Sequence, residues 1–498
     1  MRGVTPHCKK NLLGVTSPSR TMETTSQSVT HRAWGKAIAY PGKEFSPTSL
    51  PICSGKIPEG LRGSLYRNGP GRLERGGKRM GHWFDGDGAI LAVHFTDAGA
   101  TAVYRYVQTT GYQAEAAADT LLYPNYGTIA PGSIWQRWSK SVKNSANTSV
   151  LPLPDKLLAL WEGGHPHVLN LQTLETRGTD NLTQLGEGEP FSAHPKCDPK
   201  TGEIFNFGIS SGLNSKLNLY KSKSTGQIVQ KAAFQLKGLP LVHDFVLAGQ
   251  YLVFFVPPVQ VNLLPPAVGL SSFSDAMQWR PELGTQILIF DRDTLSLVAR
   301  SETEPWYQWH FANGYLDADG SIVIDFVRYK DFGTNQRLKE VATGQTHTIA
   351  EGKLWQVHLD PHTGKVKAAE ELLNRFCEFP VVPTAQVGVA SRYTYLSLHR
   401  QDADISQELY GAIARFDSQT NTLMEADLGE NRYPSEPLYA TDTINPEQGW
   451  VLTVVYDGNA DRSEVWIFRG DALDEEPVCR LELPGVIPLG FHGKWQSP

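Results

Sequence analysis

Four of the fourteen histidines stand in contexts that recur along the chain: His194 in FSAHPK, His243 in LVHDFV, His310 in WHFANG and His492 in GFHGKW. Each opens a short β-rich run. Two carboxylates, Glu378 in CEFPVV and Glu436 in SEPLYA, fall into the same series, and the six positions are separated by 49, 67, 68, 58 and 56 residues. Four imidazoles around one point favour a borderline transition metal, and with no carboxylate among the ligands the ion keeps its full positive charge. Iron(II), one per chain with open positions for dioxygen, is the most interesting occupant; zinc is disfavoured because four histidines usually close its tetrahedron. The carboxylates then have a supporting role, since a ligating imidazole donates its other N–H to a carboxylate that fixes tautomer and ring orientation. A single buried histidine is more often a hydrogen-bonded core residue than a ligand, so the shared phase of four carries the reading.

Such a phase requires repeated elements to impose it. Short runs such as QILIF (286–290), SIVIDF (321–326) and WVLTVV (450–455) have strand character, and helical patterning is scarce. Seven β-rich runs end in a polar turn: FTDAG, LQTLE, KSKSTG, FDRDT, LDPHTG, FDSQTN and FRGDA. The turn residues Thr173, Thr225, Thr294, Thr363 and Thr420 are 52, 69, 69 and 57 residues apart, which suits four-stranded repeats with extended loops. Strands apolar on both faces with no helical cover point to radial stacking. The expected fold is all-β, a seven-bladed β-propeller with a helical or loop cap over an axial iron site. The first strand of each blade lines the channel, so the six phased side chains would converge at one end. Helical insertions are expected at Tyr123 to Lys143 and Arg328 to Thr346. Residues 1–34 read as a flexible tail and 35–498 as one catalytic domain.

Composition sets limits. Hydrophobic residues at 40%, charged residues at 20%, 46 glycines and 32 prolines describe a globular, turn-rich chain. A net charge of −6 supplies no cationic excess for nucleic acid, and no obligate protein partner is evident. Five cysteines, odd in number and without C-x-x-C spacing, suit a reducing cytoplasm. The first 30 residues carry Arg2, Lys9, Lys10 and Arg20 but no apolar core of a secretory signal; a transit peptide and a true start at Met22 both remain readings. His165 and His167 form H-x-H, but Pro166 interrupts the strand and their phase differs, so both are taken as structural. The glycine-rich stretch Gly71 to Gly88 lacks the phosphate-loop pattern and reads as a lid or blade edge.

With YRNGPG (66–71), HWFDGDG (82–88), ANTSV (146–150), LLALWEGG (157–164), the four histidine contexts, CEFPVV and SEP, the chain resembles the carotenoid cleavage oxygenases, most of all their cyanobacterial apocarotenoid branch, from about Pro51 onward. The resemblance implies a seven-bladed propeller whose iron is held by His194, His243, His310 and His492. It implies further that Glu162, Glu378 and Glu436 orient His243, His310 and His492, while His194 has no such partner. Thr148 matches a residue whose methyl shields an open iron position, and Trp161, Trp309, Tyr329 and Phe379 match the walls of a polyene tunnel. Trp309 departs from relatives that often carry Phe there, which bears on tunnel width and leaves the cleaved bond open, 15,15′ or 9,10 in type.

The expected reaction is cleavage of a conjugated double bond of a carotenoid or apocarotenoid with O2, through a dioxetane, to two carbonyl products. A polyene has no hydrogen-bonding group at the scissile bond, so tunnel shape sets specificity, and aromatic walls stabilise developing positive charge. Rival readings are cleavage of stilbene-type alkenes, isomerisation of retinoid esters, or a metal-free scaffold. Because the substrate leaves a bilayer, the apolar, proline-rich stretch Val256 to Leu270 is read as a peripheral membrane contact of a cytoplasmic protein, with a buried inter-blade loop as the even alternative.

Overall fold

The computed structural model describes residues 32–138, 140–211 and 215–498. Residues 1–31 of the expected tail lie outside the described residues. The remaining chain forms one compact unit, Arg32–Pro498, and its first helix, Trp34–Ala39, begins at the fully buried Trp34, whose indole N–H donates to the Gln407 carbonyl.

The fold is all-β and propeller-like. Every one of the seven expected turns joins two antiparallel strands. The recurring threonines mark side-chain-closed turns: the Thr173, Thr294 and Thr363 N–H groups donate to Asn170, Asp291 and Asp360 Oδ1 at 2.8–2.9 Å. Strands such as Tyr251–Val256 are buried at every position, whereas outlying strands such as Val366–Leu373 are largely exposed. Sheets stacked face to face produce that pattern. Two pairings join the ends of the chain: Gly493–Gln496 runs beside Gly63–Arg72, and Ile52–Gly55 beside Cys479–Glu482.

The hydrogen bonding departs from seven separate sheets. Among the described residues, six sheets have four or more strands, and one of them has eight. A single parallel pairing, Ala248 to Gly314, fuses two four-stranded antiparallel halves, Val246 to Thr303 and Tyr307 to Leu373. Gly314 allows that approach, because a Cβ there would stand 2.8 Å from Val246 Cγ2 and 3.0 Å from Ala248 Cβ.

Helices Ile134–Trp138 and Gly333–Val341 fall inside the two expected insertions, and Thr110–Ala118 precedes the first. The stretch Val256 to Leu270 is not uniform. Val256 and Val259 are buried and Val259–Val261 is a strand, while Leu263, Leu264 and Leu270 are exposed. Among the described residues no helix is long and apolar enough to cross a membrane.

Candidate metal centre

His194 and His243 stand just before the first strand of a four-stranded unit, Lys196–Cys197 and Val246–Ala248, and His492 just before Gly493–Gln496, the end strand of a five-stranded sheet. His310 lies within Tyr307–Leu316, where the ladder slips between Gln308 and Phe311. A bulge of this kind re-aims a side chain that regular alternation would send to a sheet face. A second irregularity follows Glu378, where Phe379 adopts φ +53° and its N–H donates to Glu378 Oε2 at 2.5 Å. Strain of this sort at a non-glycine residue persists only where the surroundings impose it.

One ring nitrogen from each of the four histidines lies within 4.8 Å of the others. The outward nitrogens meet carboxylates. His310 Nδ1 is 2.5 Å from Glu378 Oε2, and His492 Nδ1 is 2.9 Å from Glu436 Oε1, which turns both Nε2 atoms inward. Glu436 Oε2 also accepts the Gly493 N–H at 2.7 Å. Glu162 sits differently: Oε1 is 3.5 Å from His243 Nδ1 and 3.6 Å from His194 Nε2. Both distances exceed a hydrogen bond, so Glu162 touches two rings and grips neither.

The donor set fits a cation. His310 Nε2 is buried with no hydrogen-bond partner, and His194 Nε2 faces His243 Nε2 at 3.0 Å, where two lone pairs require a proton or an ion between them. Burial, reinforced by the neighbouring imidazoles, pushes His194 and His243 well below the usual histidine range. Burial outweighs Glu436 at His492, which is also lowered, whereas at His310 the Glu378 charge overcomes burial and raises it. Burial would raise Glu436, but His492 and Arg67 hold it at about 2. Neutral imidazoles at His194, His243 and His492 beside an anionic Glu436 are protonation states that metal binding requires.

A cavity of about 640 Å³ opens beside this centre, and Thr148, Trp161, Trp309, Tyr329 and Phe379 all line it. The Phe379 ring stacks 5.6 Å from His310, and Trp309 crosses His243 at 4.9 Å while its Nε1–H donates to Thr334 Oγ1 at 3.0 Å. Tyr329 also donates its hydroxyl to Glu378 Oε1 at 3.2 Å, a contact that no sequence signal announced. Thr148 precedes the first strand of its own unit, Ser149–Pro152, 46 residues before His194. It therefore extends the phased series by one position, which the spacing contained and the reading of histidines and carboxylates passed over. Glu162 follows the second strand, Leu157–Leu160, and so lies outside the series. His165 and His167 stand outside the cluster, with His165 Nε2 3.0 Å from the Gly186 carbonyl oxygen.

The HWFDGDG stretch is a clamp. Asp85 accepts hydrogen bonds from Gly127 N, Thr128 Oγ1 and His82 N, and Asp87 pairs with Arg75 and with Lys143, which also reaches Glu115 at 2.8 Å. These bonds hold the segment running into Thr148 against the sheets.

A propeller-like β fold with four converging imidazoles beside an aromatic cavity is that of a non-haem metalloenzyme. The family of the retinal pigment epithelial membrane protein matches residues 38–497, and the chain belongs to it, the family of the carotenoid oxygenases. The apocarotenoid-15,15′-oxygenase of Synechocystis sp. is 30% identical over 494 residues, 97% of this chain and 99% of that protein. The isoeugenol monooxygenase of Pseudomonas putida is 26% identical over 89% of this chain and 93% of its own length. A glutamate-to-glutamine variant of the Synechocystis apocarotenoid oxygenase superposes with a TM-score of 0.87 at 29% identity, covering 94% of this chain and 98% of that one.

Proposed function

We propose that this chain is an iron(II)-dependent dioxygenase that cleaves a conjugated double bond of a carotenoid or apocarotenoid with O2 to give two carbonyl products. The observation that carries the reading is the meeting of four inward ring nitrogens at one end of an aromatic-lined cavity. His194, His243, His310 and His492 are the ligands, one iron per chain, with Glu378 and Glu436 holding two of the rings and Glu162 lying between the other two. Bound iron supplies the redox chemistry that activates dioxygen. The chain's own residues do the rest. Phe379 and Trp309 lay aromatic faces beside the centre, where a polyene is held by shape and where positive charge developing on it is stabilised. Thr148 narrows the approach to the ligand cluster, and Trp161 and Tyr329 complete the wall.

The same reading takes the eight-stranded sheet as two blades joined at Gly314, giving seven blades within a single domain from about residue 35 to 498. The segments carrying Ile134–Trp138, Leu264–Ala267 and Gly333–Val341 then cap the cavity that they line. Exposed Ile129, Val142 and Leu263 stand on that cavity's wall, with Leu264 and Leu270 adjoining, and contiguous apolar surface at a tunnel mouth suits peripheral contact with a bilayer. The test is metal analysis with product chromatography on carotenoid and apocarotenal substrates. Alanine at any one of the four histidines removes iron and cleavage, and alanine at His165 leaves both. Stoichiometric iron in all four ligand variants would overturn the reading.

A further inference from the structure

Beyond Phe379, as seen from the metal centre, the cavity wall carries three polar side chains: Arg337, His399 and Tyr410. Ring contacts lead to them, since Phe379 lies 6.3 Å from Tyr410 and Tyr410 lies 4.5 Å from His399. Arg337 is 7% exposed. Of the five N–H donors of a guanidinium, three are engaged: Nη1 with the Thr348 and Ser406 carbonyls at 2.9 and 3.4 Å, and Nη2 with the Glu408 carbonyl at 2.6 Å. Among the described residues no carboxylate lies within the 4.0 Å of an ion pair with it. A buried cation with two further N–H donors and no ion-pair partner therefore stands on the cavity wall, with Glu340 and Asp404 acting on it only from farther away. His399 is 4% exposed, and its Nδ1 is buried without a partner. Burial, with the Arg337 charge beside it, lowers His399 to about 3 and keeps the ring neutral, so Nδ1 is free to accept.

Tyr410 already shares a hydrogen bond with Tyr329, but the unpaired His399 Nδ1 and the remaining Arg337 donors are costly in an otherwise apolar wall unless something completes their hydrogen bonds. A hydrocarbon end cannot do so. An oxygen atom can, because it accepts from Arg337 and Tyr410 and, where it carries hydrogen, donates to His399 Nδ1.

We propose that Arg337, His399 and Tyr410 form an end-group subsite that takes the oxygen function, hydroxyl or carbonyl, of an otherwise apolar polyene. The proposal rests on the reading of the cavity as a polyene site and adds which end of which substrate it selects. Anchoring that oxygen fixes how much chain reaches back past Phe379, and so which double bond lies at the four histidines.

The test titrates the anaerobic iron-loaded enzyme, following quenching of tryptophan fluorescence, with three polyenes of equal length that end in hydroxyl, aldehyde or methyl. The parent binds at least one oxygenated polyene about tenfold or more tightly than the hydrocarbon, as a site with unpaired buried polar groups requires. Tyr410→Phe keeps the ring packing and lowers that preference about 3- to 10-fold, and Arg337→Gln lowers it further. His399→Leu lowers the preference for the hydroxyl alone, which separates the two oxygen functions. If Arg337→Gln fails to fold, Tyr410→Phe and His399→Leu still decide. Equal binding of all three polyenes by the parent overturns the proposal, as does a preference untouched in every folded variant. Failure of all three to bind overturns instead the polyene reading beneath it.

Discussion

Replacing Glu436 with glutamine separates a carboxylate that holds a metal ligand from one that merely lines a cavity. Glu436 uses both oxygens: Oε1 faces His492 Nδ1 at 2.9 Å and Oε2 accepts the Gly493 N–H at 2.7 Å. An amide keeps one acceptor oxygen and presents an NH2 to the other donor, so one of the two contacts becomes donor against donor, and the negative charge that strengthens the imidazole disappears. Loss of a hydrogen bond to a charged group costs about 1.5–3 kcal/mol, which corresponds to a fall of about 10- to 100-fold in iron affinity and agrees with the usual effect of removing the partner of a ligating histidine. Glu378→Gln falls in the same range, because Glu378 serves three donors, His310 Nδ1, Tyr329 OH and the Phe379 N–H. Glu162→Gln has the smallest effect of the three, since no ring lies within hydrogen-bond distance of Oε1. The assay is chelator competition for iron(II), with turnover measured in parallel. Iron affinity and turnover within threefold of the parent in both Glu436→Gln and Glu378→Gln would refute the reasoning, leaving those carboxylates as ordinary polar wall.

Three further outcomes follow from the surroundings of the site. Lys143→Met leaves Asp87 and Glu115 buried without their shared cation and lowers stability by about 3–5 kcal/mol in denaturant titration; a loss under about 1 kcal/mol would show that Arg75 alone satisfies Asp87. Burial, opposed by its hydrogen bonds, raises Asp85 from 3.8 to about 6, so its contribution to stability is fully present below about pH 4 and is lost as pH rises through about 6. Asp85→Asn removes that component, read as a flatter thermal midpoint between pH 4 and 7, and an unchanged slope would exclude it. Serine at Leu263 and Leu264 reduces liposome co-sedimentation and cleavage of carotenoid in bilayers while sparing short apocarotenals in detergent; unchanged sedimentation would remove this loop from the route of entry.

The three glutamates show how the site combines grip with openness. Glu436 and Glu378 each fix one imidazole by a short contact, and each carboxylate is itself held by a second donor. Glu162, one-third exposed and between two rings, is the loose member. Its position sets His194 and His243 apart from the other pair, each of which has a carboxylate of its own.

The sequence by itself determined the repeated hairpins and the phase of the six side chains. Both are local. An Asp or Asn closing a turn on a threonine three residues later needs nothing but its own loop, and a residue that opens the first strand of each repeat keeps that place whatever lies opposite. Tertiary structure decided what periodicity does not encode. The Ala248–Gly314 pairing that fuses two sheets depends on two distant strands coming within reach where one lacks a Cβ. The bulge at His310 and the left-handed turn at Phe379 aim side chains by breaking the alternation that sequence patterns record. Glu162 reaches His194 and His243 from the end of a second strand, and Tyr329 reaches Glu378 from a neighbouring unit. Those contacts are set by how the sheets pack around the centre, so chain spacing fixed which residues arrive there and packing fixed what each of them touches.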